Sequence, residues 1–286
     1  MELNLDALRH NARVVQEYIG AERTLWAVVK ADAYGHGAVP VADTLMQAGV
    51  AHFIVANLDE AVELREALPQ HAFRLMTLYP PPTPDEWRAA AEYAVESVID
   101  SIEGYTQACE TAQRLGRALP VHLELDTGMS RLGLTPEELA PFLERFSPDA
   151  PLRWQSVFTH FACADSDAEF THEQLRLFLE SVHRLRAGGF PETPLHAAAS
   201  AGLLTAPDSL LNAVRCGLLL YGIAPTGLES HPLCAQLRPV LHWRARVISV
   251  RTIPKGQSVS YGARFRAVRP TRVATLSVGY ADGYPI

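Results

Sequence analysis

The sequence has little of what marks several common classes of protein. Its 286 residues include 4 cysteines, and no two of them form a CxxC pair. Such sparse, widely spaced cysteines predict reduced thiols in a cytoplasmic protein. No pair of cysteines or histidines has the spacing of zinc ligands, so the sequence predicts no metal site. The cysteines are Cys109, Cys163, Cys216 and Cys234.

Long apolar runs and a one-signed charge are also missing. The formal net charge is −7, and acidic and basic residues are interspersed, so no basic stripe for nucleic acid is present. No apolar run approaches the roughly 18 residues that a membrane-spanning helix needs. Residues 1–6 contain neither the basic nor the apolar region of a signal peptide. The composition, 48% hydrophobic and 20% charged, is that of a globular protein.

Short apolar runs alternate with helix-like segments through most of the chain. A first amphipathic segment, 5–19, ends at Gly20. Strand and helix in regular alternation predict an α/β protein with a (β/α)8 TIM barrel, and a doubly wound parallel sheet is the alternative. The predicted strands are 25–30, 52–56, 74–78, 94–99, 120–125, 152–159, 194–198 and 211–217. The predicted helices are 38–48, 59–67, 84–92, 101–116, 135–146, 168–187 and 201–206, with a weak eighth within 218–236.

The pattern changes near Cys234. Residues 241–250 alternate apolar and polar side chains, as a half-exposed antiparallel strand does, and 272–278 form another strand. We therefore expect a barrel domain at 1–234 and a mostly-β C-terminal domain at 235–286. Because two or three strands make a meagre domain, we expect this second domain to be incomplete and truncated here.

Lys30 stands at the end of the first predicted strand. In parallel α/β folds this end of a strand carries the chemistry. A lysine held there can lose its proton and attack a carbonyl, forming a Schiff base, although a strand-end lysine can also simply extend into water. Tyr34, Gly35 and Gly37 follow in a loop, and a phenol donor with flexible backbone suits a phosphate.

Polar side chains follow four other predicted strands, and their joint placement is more informative than any one of them. Taken singly, each has an ordinary alternative: a surface arginine, a core histidine, a helix cap or a structural ion pair. Phosphates bind barrels after strands seven and eight, and an aldehyde cofactor that bears a phosphate and is captured by lysine is pyridoxal 5′-phosphate. The residues are Arg131 after strand five, His160 at the end of strand six, His196 and Ser200 at the end of strand seven, and Arg215, Gly217 and Leu218 at the end of strand eight.

The motifs together resemble the bacterial alanine racemases, which are fold-type III pyridoxal-phosphate enzymes. The resemblance implies a barrel with a β-rich second domain, interconversion of L- and D-alanine by two bases, and D-alanine supply for peptidoglycan. It also implies a homodimer with shared active sites. The matching stretches are 27–37, 125–133, 159–162, 215–222, 260–262 and 278–284.

The resemblance also implies roles for individual residues. Lys30 would hold the cofactor and act as one acid/base. Tyr261 would be the opposite base, reaching into a partner's barrel, and His160 would hydrogen-bond it. Arg215 would face the pyridine nitrogen, and Arg131 would lie near the ring oxygen and the substrate carboxylate. The phosphate would be held by Tyr34, Ser200, Gly217 and Leu218, and Tyr280 would line the entrance.

Two positions depart from the family pattern. Glu124 stands where the family usually carries a carbamylated lysine, and we expect it to hold Arg131 directly, or through water or an ion. Ala199 replaces the asparagine that commonly precedes the serine at position 200. Three other functions stay open: a broad-specificity amino-acid or serine racemase, a non-catalytic carrier barrel that binds the cofactor, and a decarboxylase of related plan.

Overall fold

The computed structural model describes residues 2–284, which fall into two compact units. One unit runs from Leu3 to Val240, and the other begins at Leu241 and also includes Glu2. The sequence predicts the division after Cys234. The later division reflects backbone contacts, because Arg238 N donates to Asn11 Oδ1 at 2.8 Å and Val240 N donates to Tyr221 O at 3.2 Å.

The first unit is an eight-stranded parallel barrel, which confirms the predicted α/β class and excludes the doubly wound alternative. The order is β3-β2-β1-β8-β7-β6-β5-β4. A bridge between Met76 and Glu96 joins the two outer strands, and Thr77 N donates to Glu96 O at 3.1 Å. The strands are β1 Thr24–Val28, β2 His52–Val55, β3 Arg74–Thr77, β4 Ser97–Ile99, β5 Leu119–Glu124, β6 Leu152–Phe158, β7 Leu195–Ala199 and β8 Ala213–Cys216.

Strand residues are buried on both faces, as near-continuous apolar runs predict. In β2, Phe53 and Val55 pack in the layer beneath the helices. Ile54 points to the opposite side and packs with Met76 and Val98 inside the barrel. This alternation lets every second strand residue enter the barrel interior, and polar side chains placed there reach one another.

Short polar side chains begin several of the helices. The Asn57 side chain accepts from Glu60 N at 3.0 Å, and Ser101 Oγ accepts from Gly104 N at 3.1 Å. No helix within residues 2–284 is both long and apolar enough to cross a membrane. The helices are α1 Leu5–Ile19, α2 Ala38–Gln47, α3 Leu58–Ala67, α4 Pro84–Glu92, α5 Ile102–Leu115, α6 Leu139–Arg145, α7 Ala168–Ala187 and α8 Ser200–Thr205.

The predicted eighth helix within 218–236 is wrong. The structure has 3-10 turns at Leu218–Tyr221 and Cys234–Gln236 instead. The first turn ends at Gly222, which is left-handed with φ +75°. Helix α1 packs against this turn, and Asn11 Nδ2 donates to Leu220 O at 3.0 Å. The N-terminal helix therefore covers the surface that an eighth helix would need.

The second unit is built from short antiparallel pairs. Strand β9, Val247–Ile253, pairs with β12, Thr271–Leu276, and β10, Ser258–Val259, pairs with β11, Phe265–Arg266. Two-residue strands lie at Glu2–Leu3 and Leu241–His242, and 3-10 turns lie at Tyr261–Ala263 and Tyr280–Asp282. Side chains such as Ile248 and Val268 are exposed by 64% and 80%. A sheet with so little buried surface has a small core of its own.

Gly222 gives a direct test of how the last barrel turn packs. A Cβ at this position would lie 2.1 Å from Arg238 O, whereas Gly116, also left-handed, has open space around it. We expect Gly116→Ala to cost about 1–2 kcal/mol of stability from backbone strain alone. In Gly222→Ala the added methyl group also collides with the backbone at Arg238. Overpacking of this kind should lower the stability by about 3 kcal/mol more.

Urea unfolding followed by circular dichroism measures both variants against the unmutated protein. Equal loss of stability in the two variants would show that the backbone of Arg238 does not approach Gly222 as closely as described.

Candidate active site

One cavity of about 340 Å³ opens at the carboxyl ends of the barrel strands. Glu124 also lines it. Tyr261 and Tyr280 belong to the second unit, where they are 94% and 72% exposed. The structure thus brings together every residue expected to touch the cofactor from the barrel. These are Lys30, Tyr34, Arg131, His160, Ser200, Arg215, Gly217 and Leu218.

The backbone after β1 is strained. The predicted first strand ends at Val28 rather than at Lys30, which instead opens a one-turn segment. Residues 31–34, none of them glycine, have φ between +51° and +54°. Each left-handed residue of this kind costs roughly 1–2 kcal/mol. The Glu60 carboxylate holds the turn, accepting from Ala31 N at 2.9 Å and from Ala56 N at 2.8 Å. Such localised strain is a feature of functional sites.

The electrostatics around Lys30 favour a reactive amine. Burial lowers the pKa of Lys30, and the nearby Arg131 cation lowers it further, while Glu60 acts in the opposite direction. A lower pKa increases the fraction of free amine, which is the form that attacks a carbonyl. The printed sequence contains one other lysine, Lys255, which lies in the second unit.

Hydroxyl and amide donors gather beside the start of α8. Gly217 N donates to Ser200 Oγ at 3.2 Å. A Cβ at position 217 would lie 2.8 Å from the Tyr34 hydroxyl, so glycine is what allows the phenol to approach this strand end. Burial, and then Cys216, raise the pKa of Tyr34 to about 12, which keeps it a hydroxyl donor. This donor set fits a phosphate group.

A compact loop presents Arg131. Asp126 Oδ1 accepts from Gly128 N at 2.9 Å and from Ser130 N at 3.0 Å. Gly133, with φ +105°, closes the loop, and a Cβ there would lie 2.7 Å from Asp126 N. The loop places Arg131 at the edge of the cavity, where its guanidinium can bind an anion such as a carboxylate.

Glu124 is 5% exposed at the end of β5. Burial raises its pKa to about 7, and the cations Arg215 and Arg131 act against that rise. Within residues 2–284, no ion pair of 4.0 Å or less joins Glu124 to Arg131. The direct contact expected between these two side chains is therefore not made.

Arg215 is 3% exposed at the end of β8 and makes several hydrogen bonds. Its Nη1 donates to His196 Nδ1 at 2.6 Å, and its Nη2 donates to His160 Nδ1 at 3.1 Å. Nη2 also donates to the carbonyl oxygens of Thr159, at 2.7 Å, and Ala197, at 3.0 Å. Burial lowers the pKa of Arg215 to about 10, so the side chain remains a cation at neutral pH.

The contact with Arg215 fixes the protonation of His160. Because the guanidinium only donates, the 3.1 Å contact favours His160 Nδ1 as the unprotonated nitrogen, which shares the two Nη2 hydrogens with the carbonyl oxygens of Thr159 and Ala197. Burial, with the cations Arg215, Arg131 and Lys30, lowers the pKa of His160 to about 3. His160 is thus a neutral imidazole whose Nε2–H is a hydrogen-bond donor.

Sequence reasoning missed the pairing of Arg215 with His196. His196 was placed near the site, but no partner was assigned to it. The available signal was a histidine within an otherwise apolar strand, at a position that the alternation of β7 turns into the barrel.

Models of known families match both units of the chain. The model for the alanine racemase N-terminal domain matches residues 3–225, and that for the C-terminal domain matches residues 240–286. The chain belongs to the alanine racemase family. The match to the N-terminal domain covers all the barrel residues described above that line the cavity.

Individual family members are similar along the whole chain. An alanine racemase of Sorangium cellulosum is 40% identical over 99% of this chain and 74% of its own length, and one of Synechocystis is 39% identical over 100% and 76%. Among solved structures, that of Streptomyces lavendulae has a TM-score of 0.89 at 33% identity, covering 99% of this chain and 74% of that one. The Bartonella henselae racemase, which holds covalently bound pyridoxal phosphate, has a TM-score of 0.86 at 30% identity, with coverages of 99% and 76%.

Removing the cation at position 131 tests the electrostatics of Lys30. Because Arg131 lowers the pKa of Lys30, Arg131→Met should raise it. Trace labelling of amines across a pH series, read by mass spectrometry of the cofactor-free protein, should show the Lys30 midpoint moving to higher pH. Lys255 is an internal reference in the same sample, and Arg145→Met, an exposed arginine, is the matched control. An unmoved midpoint in Arg131→Met would contradict this account of the amine.

Proposed function

We propose that the protein is a pyridoxal 5′-phosphate-dependent alanine racemase that interconverts L- and D-alanine and supplies D-alanine for peptidoglycan. The main support is one observation. A lysine with a lowered pKa, a phosphate-binding donor set and a buried arginine line the same cavity. Family membership and the covalently bound cofactor of the Bartonella henselae relative support the same conclusion.

The residues present fit the cofactor. Lys30 would hold it covalently, and Tyr34, Ser200, Gly217 and Leu218 would bind its phosphate. When bound, pyridoxal phosphate withdraws electrons from the substrate's Cα and makes the α-proton acidic. Arg131 would orient the substrate by binding its carboxylate.

Arg215 would set how strongly the ring withdraws electrons. A guanidinium donates a hydrogen bond but does not release its proton, so it leaves the ring nitrogen unprotonated. A ring without that positive charge is a weaker electron sink, which favours prompt return of a proton over side reactions. This property suits a racemase and disfavours a decarboxylase, which needs a strong sink.

Racemisation needs two proton-transfer groups, one on each face of a planar carbon. Lys30 is one of them, and Tyr261 of the partner subunit is the other. A free tyrosine has a pKa of about 10 and needs a neighbour that favours its ionised form. The Nε2–H of His160 can donate to the phenolate oxygen and so favour that form.

This arrangement implies a homodimer. Tyr261 lies in the second unit, and the family resemblance implies that it reaches the barrel of a partner, so the proposed site would take its lysine from one chain and its tyrosine from the other. Two-fold symmetry then gives two equivalent shared sites. We also propose a cytoplasmic location, which is consistent with four cysteines that are free thiols.

Mixed dimers test the shared site. Lys30→Ala and Tyr261→Phe are each expected to be inactive alone, because each lacks one base. When the two inactive chains are co-expressed, one site of each mixed dimer regains both bases. Random pairing should restore about a quarter of the unmutated racemase activity, as half the dimers carry one intact site of two.

In a reciprocal control, the mixed dimers are expected to be inactive. Pairing an unmutated chain with a chain carrying both substitutions leaves each site of the mixed dimer without one base, so mixed dimers should be inactive. If Tyr261 worked in its own barrel, this pair would be active and the first pair would not. That pattern would rule out the shared site.

Glu124, with its pKa raised to about 7, is proposed to supply an anion through its ionised form, in place of the family's carbamylated lysine. Since no direct ion pair joins it to Arg131, we propose that water or an ion connects the two. Racemase activity should then be independent of added bicarbonate, because no carbamate has to form. A strong rise in initial rate with bicarbonate, at constant pH and ionic strength, would contradict this role.

Two alternatives concern substrate breadth and turnover. A broad-specificity or serine racemase would use the same bases and differ in the cavity. A carrier barrel would bind the cofactor without turnover, but the match of residues 240–286 to the racemase C-terminal domain argues against it. Measuring the D-enantiomer formed from each of a panel of L-amino acids separates the alanine racemase, the broad-specificity or serine racemase and the carrier barrel.

A further inference from the structure

A chain of side-chain hydrogen bonds crosses the barrel interior behind Arg215. Arg215 Nη1 lies 2.6 Å from His196 Nδ1, and His196 Nε2 lies 2.8 Å from Ser156 Oγ. Ser156 Oγ lies 2.6 Å from His122 Nδ1, and His122 Nε2 lies 2.9 Å from Glu96 Oε2. The first four residues come from β8, β7, β6 and β5, and Glu96 immediately precedes β4. We call Glu96, His122, Ser156 and His196 the interior chain.

The two ends of the interior chain fix its direction. Arg215 can only donate, so His196 Nδ1 is the unprotonated nitrogen and Nε2 carries the hydrogen. Ser156 then accepts from His196 and donates to His122. His122 donates in turn from Nε2 to Glu96, whose ionised carboxylate only accepts. Every group in this sequence meets a complementary partner.

The charges agree with this direction. Burial alone would raise the pKa of Glu96, but hydrogen bonds from His122 and Arg74 outweigh it and hold the pKa at about 2. Arg74 contributes two contacts of 2.6 Å to this carboxylate. Burial lowers the pKa of His122 and, together with Arg215, lowers that of His196 well below its usual range. Along the interior chain, two neutral imidazoles and a hydroxyl therefore lie between the Arg215 cation and the ionised Glu96 carboxylate.

Ser156 is the acceptor that the Nε2–H tautomer of His196 requires on the side away from Arg215. Its hydroxyl is committed to donating to His122, so it can only accept from His196. In the other tautomer, His196 Nδ1–H would face Arg215 Nη1–H across 2.6 Å, with two donors in contact. The guanidinium would then have to move away from its present position.

We propose that Ser156, with His122 and Glu96, is a positioning residue for Arg215: it accepts the hydrogen bond of His196 Nε2–H and so holds in place the imidazole that receives the guanidinium. The consequence for catalysis rests on the proposed function, in which Arg215 faces the ring nitrogen of the cofactor. The tautomer of His196 follows from the hydrogen bonds alone.

Substitution at Ser156 in the cofactor-loaded protein tests this role. Ser156→Ala removes the acceptor of His196 Nε2–H and the donor to His122 Nδ1. Nitrogen-15 NMR of histidine-labelled protein, with His196→Gln to assign the signal, should show the His196 Nε2 resonance shifting as it loses its hydrogen bond, while Arg215 keeps the Nε2–H tautomer. The absorbance spectrum of the bound cofactor should change, and kcat should fall by about tenfold with little change in KM, within the range that a misplaced catalytic group costs.

Three further variants sharpen the test. Ser156→Thr keeps the hydroxyl and should restore the His196 Nε2 resonance, the spectrum and kcat. Ser156→Cys, which offers a weaker donor and acceptor in nearly the same volume, should fall between Ser and Ala and replaces Ala if that variant does not fold. Ser181→Ala is the control, because Ser156 and Ser181 are both 3% exposed and Ser181 lies on α7, outside the interior chain.

Two results would overturn the proposal. One is a His196 Nε2 resonance that stays unchanged in both Ser156→Ala and Ser156→Cys. The other is a shifted Nε2 resonance with an unchanged cofactor spectrum and kcat. Failure of the proposed function is distinguishable from both, because an unmutated protein without racemase activity would still give the expected NMR signal of His196.

Discussion

Arg215 carries a positive charge into the barrel with 3% of its surface exposed, and much of the surrounding structure accommodates that charge. A buried cation is unfavourable unless acceptors replace the water it loses. Here the acceptors are two neutral imidazoles and main-chain carbonyls, at distances of 2.6 to 3.3 Å. The nearby Glu124 adds a partly compensating negative charge. The guanidinium is thus fixed in place rather than free to move.

The Arg215 cation also lowers the pKa of the two histidines that it contacts. It contributes to the lowered pKa values of His160 and His196, so that both imidazoles are neutral and have defined donor and acceptor nitrogens. At the other end of the cavity, burial and Arg131 lower the pKa of Lys30. One set of charges thereby yields a lysine that loses its proton more readily, a neutral histidine donor and a permanent cation. Those are the states that proton transfer at a carbon beside a pyridine ring requires.

Most of the fold could be predicted because its signals are local. Eight apolar runs and their capped helices are legible in the sequence, and the structure has all eight strands. The eighth helix was wrong because its place is covered by α1, a contact between residues more than 200 positions apart. The left-handed turn at residues 31–34 was also missed, since alanine and tyrosine carry no preference for that conformation.

The candidate site was predictable for a similar reason, and only in part. Residues at strand ends converge in any parallel barrel, so Lys30, His160 and Arg215 could be placed together. The interior chain depends on the relative register of five barrel segments, which the sequence does not show. Glu124 illustrates the same limit, because its partner cannot be read from its position along the chain.

The central claim is that Arg215 donates to the cofactor's ring nitrogen and leaves that nitrogen unprotonated. Nitrogen-15 NMR of the protein loaded with cofactor labelled at the ring nitrogen measures this directly. The account predicts the chemical shift of an unprotonated, hydrogen-bonded pyridine nitrogen throughout the pH range in which the protein is folded. The shift of a protonated pyridinium at neutral pH would contradict it.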